Sequence, residues 1–282
     1  MTVEKPFRAA GLIGWPVYQS RSPMLHGWWL EQYRIPGVYV PMPVRPGHME
    51  AALRGLPALG FAGCNVTIPH KAEAARRVDR VDPVGRRVGA INLIVVQPDG
   101  SLSGTNTDGY GFIHNLRDGK PDWRGEDGPA VVLGAGGSAR SVVTSLLDEG
   151  APEIRLANRT RAHAEQLAAG FGSRVRVLDW AERESALAGA ALLVNTTNQG
   201  MTGQPALALR LDDLPREALV SDIIYNPLQT PLLIAAQARG NPTVNGLGML
   251  LHQARPSFEA WFGVLPDITP AMRSAIEATI GG

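Results

Sequence analysis

AVVLGAGGSARSVVTSLLDEG, residues 130–150, is the stretch on which the fold turns. Ala130–Leu133 is an unbroken apolar run and reads as a buried strand. Gly134-Ala135-Gly136-Gly137-Ser138-Ala139 follows as a G-x-G-x-x-A turn, and the residues from Ser138 onward read as a helix. In such a turn the first glycine permits the tight bend and the second lets a pyrophosphate approach the backbone. The small third position lets helix and sheet pack closely. The helix start adds free N–H groups and the positive end of a dipole, both suited to phosphate. Strand, turn and helix in this order predict one half of a dinucleotide-binding sheet.

Downstream of this unit, EIRLAN (153–158), VRVLDW (175–180), ALLVNTT (191–197) and ALVSDIIY (218–225) read as further strands with helices between them. The second strand ends in Asn158-Arg159-Thr160-Arg161. An acid usually stands near there to hold a ribose 2′-hydroxyl. Here there is none, and arginine binds phosphate as a planar fork. NADP(H) is therefore expected over NAD(H).

Upstream, AAGLIGW (9–15), GVYVPMPV (37–44) and GCNVT (63–67) read as strands separated by helices. One helix is expected from Ser22 as N-cap with Pro23 in its first turn, another from Pro69. INLIVVQ (91–97) and SLSGTNT (101–107) flank Asp99-Gly100 and predict a hairpin. The polar segment 118–129, rich in Gly, Pro and Asp, reads as a domain boundary. The last forty or so residues read as successive helices with no strand between them.

Length and composition agree with two α/β domains. The chain has 282 residues, 44% hydrophobic and 19% charged. Basic and acidic residues nearly cancel, 27 against 26, which offers no electrostatic footprint for nucleic acid. A single cysteine, Cys64, precludes an internal disulfide and reads as a small buried hydrophobe. No apolar run is long enough to span a membrane, the N-terminus has no secretory pattern, and six scattered histidines show no metal-ligand spacing. A cytoplasmic protein with a small-molecule substrate and no metal is expected, as a monomer or homodimer. Lys5, Lys71 and Lys120 are its only lysines. Lysine, unlike arginine, can give up a proton.

Three stretches place polar side chains densely at strand ends: GWPVYQSRSPMLH (14–26), GFAGCNVTIPHK (60–71) and GTNTDGYGF (104–112). Together with GAINLI (89–94), GAGGSAR, NRT, VNTT, DIIYNPLQTPLL (222–233) and NGLGMLLHQA (245–254), this ordered set resembles the shikimate dehydrogenase family along almost the whole chain. The resemblance implies an α/β substrate-binding domain over 1–111 and 245–282 and a Rossmann-like doubly wound domain over 112–244. A C-terminal helical tail would pack back on the first. It implies reversible, NADPH-dependent reduction of 3-dehydroshikimate to shikimate, in chorismate and aromatic amino acid biosynthesis.

By that resemblance Lys71 and Asp108 are the catalytic pair, and Ser20, Ser22, Thr67, Asn92 and Gln253 contact the substrate. Gly134–Ala139, Asn158–Arg161, Thr196, Ile223, Tyr225, Gly246 and Met249 would line the cofactor site. Read singly, Ser22 and Asp108 are helix caps, Lys71 is a charge in a first helical turn, and Tyr225 is equally a core aromatic. Gly27, Leu93 and His163 depart from the family pattern, the last where many NADP-using members carry a further arginine. Two alternatives stay open: a catabolic quinate/shikimate dehydrogenase, and a nucleotide-binding regulatory module without catalysis.

Overall fold

The computed structural model describes residues 6–280, which form two compact units. Residues 6–107 and Gln253–Thr279 make the first, and Asp108–His252 with Ile280 the second. The chain therefore leaves the first unit, builds the second, and returns.

The first unit carries a six-stranded mixed sheet. Its strands are β1 (Arg8–Gly14), β2 (Gly37–Pro43), β3 (Phe61–Val66), β4 (Arg80–Val81), β5 (Leu93–Val96) and β6 (Leu102–Thr105), in the spatial order β2-β1-β3-β5-β6-β4. β2, β1 and β3 run parallel, and the hairpin β5–β6 returns antiparallel beside β3. Helices α1 (Ser22–Gln32), α2 (Met49–Ala58), α3 (Lys71–Arg77) and α4 (Pro83–Val88) connect them. Met49, Leu53 and Leu56 of α2 pack with Ile13, Cys64, Val66, Ile91 and Ile94 on one side of the sheet.

Register explains why the polar stretches converge. Asn65 lies opposite Leu93, and Leu93 lies opposite Thr105. The residue just after β3 (Thr67), the one just before β5 (Asn92) and those just after β6 (Asn106, Thr107) thus share one edge of the sheet. Parallel β1 ends at that edge too, and the loop to Ser20 and Ser22 starts there.

The second unit holds a six-stranded, all-parallel sheet. It is built from β7 (Ala130–Leu133), β8 (Ile154–Ala157), β9 (Val175–Leu178), β10 (Leu192–Asn195), β11 (Leu219–Asp222) and β12 (Thr243–Val244), ordered β12-β11-β10-β7-β8-β9. β7, β10 and β11 are buried at every position, as strands covered on both faces must be. Helices α5 (Asp108–Gly119), α6 (Gly137–Asp148) and α7 (Arg161–Ala168) precede α8 (Pro231–Arg239). Residues of α5, α6 and α7 join one core cluster, those of α8 a second. From β7 the chain steps outward through β8 and β9, then crosses back to β10. The topological switch point lies between β7 and β10, the place where doubly wound sheets bind ligands. Two helices end the chain: α9 (Leu247–Phe262) and α10 (Pro270–Glu277).

Several local readings are corrected. Arg21, not Ser22, occupies the N-cap of α1; Ser22 is already helical, and its N–H is met by the Ser20 hydroxyl at 3.2 Å. Helix α3 begins at Lys71 rather than Pro69, because His70 N–H first closes a turn onto the Thr67 carbonyl at 2.9 Å. The segment 118–129 is no boundary: Trp123 is buried in the core of the second unit. The two-residue β12 stands between the C-terminal helices α8 and α9, where no strand was expected. Such short strands, like β4, carry too few residues to show a period. No helix among the described residues is long and apolar enough to cross a membrane.

Candidate active site

Buried side chains along the polar edge of the first unit join into one hydrogen-bonded network. Asn92 is its centre: Oδ1 accepts from the Thr107 N–H at 2.8 Å, and Nδ2 donates to Gln253 Oε1 at 3.3 Å. The Thr107 hydroxyl donates to the Gln253 carbonyl at 2.8 Å, which ties the C-terminal helix to the hairpin. Asn65 extends the network, with Nδ2 donating to the Asn92 carbonyl at 2.8 Å and to Ser257 Oγ at 2.9 Å. Its Oδ1 accepts from the Tyr39 hydroxyl at 2.8 Å, and Ser22 bonds Tyr39 in turn. Ser22, Asn92 and Gln253, separated widely in sequence, are thus brought together. Ser20 joins through the Ser22 amide.

Thr67 N–H is fixed to the Ile13 carbonyl at 2.8 Å, and the Lys71 carbonyl accepts from Ile91 N–H at 3.1 Å. Lys71, half-buried, therefore starts its helix one hydrogen bond from the residue preceding Asn92. Asp108 is the residue after Thr107; it opens α5 in the second unit and is buried.

Burial pushes the Tyr39 phenol well above its ordinary range, so it stays a donor, and it raises the Cys64 thiol likewise. Cys64 is a core residue and not a nucleophile. His26 is fully buried, stacked on Tyr39 with ring centroids 4.0 Å apart, and held neutral with its pKa lowered to about 3.

In the second unit, the glycine turn has the shape its sequence suggested. Gly134 has φ +109°, and a Cβ there would lie 2.5 Å from Thr196 Oγ1. That hydroxyl donates to the Leu133 carbonyl at 2.7 Å, so β7 and β10 meet tightly at the switch point. At Gly136 and Gly137 a Cβ would meet nothing within 4 Å, and both residues are exposed. The first turn of α6 therefore presents bare backbone outward, while Ala139 is completely buried beneath it. Ser138 lies partly exposed beside them, as does Ala135.

At the end of β8, Asn158 Nδ2 donates to the Thr160 carbonyl at 2.8 Å and shapes the loop. The two arginines of that loop differ. Arg161 is held by Glu165 and Asp179, each at 2.8 Å, and those carboxylates raise its pKa further. Arg159 is exposed and has no side-chain partner among the described residues. Gly246 N–H bonds the Ile224 carbonyl at 2.9 Å, close enough that a Cβ on Gly246 would lie 2.0 Å from the Ile223 carbonyl. Ile223 and Met249 both belong to the packing around the unit's core, and Tyr225 is half-buried on the loop that follows β11.

Comparison with known proteins agrees with both halves. Residues 12–94 match the model of the shikimate dehydrogenase substrate binding domain, 124–204 that of shikimate/quinate 5-dehydrogenase, and 246–277 that of the shikimate 5′-dehydrogenase C-terminal domain. The shikimate dehydrogenase (NADP+) of Paramagnetospirillum magneticum is 58% identical over 269 residues, covering 95% of this chain and 98% of that protein. The chain belongs to the shikimate dehydrogenase family. Among solved relatives, the shikimate 5-dehydrogenase of Thermus thermophilus, in complex with NADP(H) and shikimate, is 34% identical with a TM-score of 0.86, covering 97% of this chain and all 100% of that one. The quinate dehydrogenase of Corynebacterium glutamicum, in complex with NAD, is 29% identical with a TM-score of 0.88, over 97% and 99% of the two chains.

Within this shikimate dehydrogenase family fold, Tyr39, Asn65, Thr107 and Ser257 organise the polar edge, and motif reading gave none of them a role. Asn65 did leave a signal, as an amide inside an otherwise apolar strand. Tyr39 and Ser257 left none: each looks like an ordinary member of its element, and only the fold shows that their hydroxyls meet the same amide.

Proposed function

We propose that this chain catalyses the reversible, NADPH-dependent reduction of 3-dehydroshikimate to shikimate. The observation that carries this reading is the network centred on Asn92, a rigid set of hydroxyl and amide groups beside Lys71. A substrate with a carboxylate, a ketone and neighbouring hydroxyl groups needs such a set, and the overall identity to curated shikimate dehydrogenases supports the same substrate.

The dinucleotide fits the second unit: bare backbone at Gly136 and Gly137 and the close approach at Gly134 leave the cradle open. When bound, NADPH supplies the hydride. Ser20 and Ser22 hold the carboxylate, while Thr67, Asn92 and Gln253 bind hydroxyl groups and fix the ring. The Lys71 ammonium gives its proton to the carbonyl oxygen as the carbon is reduced, and takes it back in the oxidative direction. Asp108 accepts a hydrogen bond from the substrate and is the second proton-handling group. Arg159 holds the 2′-phosphate, and Arg161, engaged by two carboxylates, braces the loop. A single buried cysteine and no disulfide suit the reducing cytoplasm.

The test is NADP+ reduction, followed by absorbance, with shikimate and quinate in parallel and again with NAD+. Turnover of shikimate with NADP+ is expected. Preference for quinate or NAD+ would move the chain to the catabolic branch, and no turnover by folded protein would overturn the substrate assignment.

A further inference from the structure

Asp222, the last residue of β11, has no exposure to solvent and takes no part in the mechanism above. Its carboxylate gathers four donor contacts. Asn195 Nδ2 lies 3.1 Å from Oδ1 and 3.2 Å from Oδ2, Ile224 N–H donates to Oδ1 at 3.1 Å, and the Thr230 hydroxyl donates to Oδ2 at 2.8 Å. Asn195 and Thr230 are themselves fully buried.

The partners root two loops, the one after β10 and the one between β11 and α8. Asn195 ends β10, and its Oδ1 accepts from both the N–H (3.0 Å) and the hydroxyl (2.7 Å) of Thr197, fixing the turn that contains Thr196. Ile224 lies between Ile223 and Tyr225, and its carbonyl receives the Gly246 N–H at 2.9 Å. Thr230 closes the far end of the loop 223–230 and caps α8 through Leu233 N–H at 3.4 Å. One buried carboxylate thereby joins the loops that carry Thr196, Ile223, Tyr225 and Gly246.

We propose that the loops rooted on Asp222 hold the nicotinamide half of the cofactor and that Asp222 is their positioning residue, while the adenosine half rests on the first turn of α6 and the loop 158–161, neither of which bonds Asp222. The inference rests on the dinucleotide reading above. Desolvation raises the Asp222 carboxyl, and the bonds from Thr230, the Ile224 N–H and Asn195 oppose that rise.

An Asp222→Asn variant keeps the size of the side chain but leaves one position facing Asn195 Nδ2 with donor against donor. Binding of NADPH, and separately of adenosine 2′,5′-bisphosphate, is measured by titration without substrate, beside a melting curve. NADPH affinity is expected to fall about tenfold or more, since misplaced contact groups are costly, while the bisphosphate binds as to the parent protein. Equal loss of both ligands, or no loss of either, overturns the proposal. If Asp222→Asn does not fold, Thr230→Val and Thr230→Ser decide. The serine variant keeps the hydroxyl and is expected to bind NADPH normally, whereas the valine variant is expected to lose NADPH and keep the bisphosphate; two variants that bind alike refute the role. A parent protein that binds no NADPH at all would instead sink the dinucleotide reading.

Discussion

Replacing His26 by phenylalanine is expected to change how stability responds to acid more than it changes stability itself. The His26 ring is enclosed by Tyr39, Trp29, Phe258 and Trp261, and neither nitrogen has a hydrogen-bond partner among the described residues. Burial lowers its pKa from 6.5 to about 3. The folded state therefore refuses a proton that the unfolded chain takes up. A depressed histidine contributes stability that is fully present above the unfolded pKa and is lost as pH falls toward the folded one. Each pH unit inside that window costs up to about 1.4 kcal/mol, so the step from pH 7 to pH 5 removes about 2 kcal/mol through this one residue. Phenylalanine cannot titrate. At pH 7 the two changes it makes oppose each other: relief of unpaired buried nitrogens is worth about 1–3 kcal/mol and crowding costs a similar amount. Urea denaturation of both proteins at pH 7, 6 and 5, followed by tryptophan fluorescence, isolates the difference, because every other titrating group is common to both. The variant's loss between pH 7 and 5 is expected to be smaller by about 2 kcal/mol. Parallel acid limbs, or a histidine resonance of the folded protein that titrates near 6 and disappears with the substitution, would refute the reasoning.

Three further outcomes follow from particular contacts. Gly134→Ala forces a Cβ to 2.5 Å from Thr196 Oγ1 at a φ of +109°; a melting curve should show destabilisation of about 1–3 kcal/mol or more, with dinucleotide binding lost. Arg159→Ala should cut the preference for NADP+ over NAD+ in kcat/KM at least about tenfold, while Arg161→Ala, whose guanidinium is already held by Glu165 and Asp179, changes it much less; the reverse order would mean the phosphate site was misassigned. Lys71→Ala should lower kcat about 10²–10⁴-fold with an unchanged melting temperature, since the side chain is half-exposed; full activity would remove Lys71 from the chemistry.

How much of this was readable without coordinates depended on whether the signal was local. The glycine turn was legible because strand, turn and helix lie within one short stretch, and each glycine answers to one steric demand. The hairpin was legible for the same reason, with Asp99-Gly100 between two apolar runs. Ser22 as N-cap failed because a serine before proline is the ordinary cap pattern, and nothing nearby reveals that its hydroxyl is drawn to Tyr39 on the next strand. The polar segment 118–129 misled because composition cannot show that Trp123 is anchored in a core. Asp222 was overlooked as a group with a role because an acid ending a strand resembles any turn residue. Its partners are 27 residues back and 8 ahead, and only the parallel register of β10 and β11 sets Asn195 beside it.

The return of the chain to its first unit has a consequence for the order in which the protein is made. Phe258, Trp261, Met272 and Ile276 are fully buried in that unit, and the Trp261 indole N–H donates to the Ile94 carbonyl at 3.0 Å across 167 residues. On a ribosome, residues 6–107 emerge before residues 258–276 and lack this aromatic wedge until those have been added. Asp108–His252, by contrast, is contiguous and has all its strands once it has left the exit tunnel. Domains usually mature from the amino terminus onward; here residues 6–107 cannot complete their core until the segment made after Asp108–His252 has followed it.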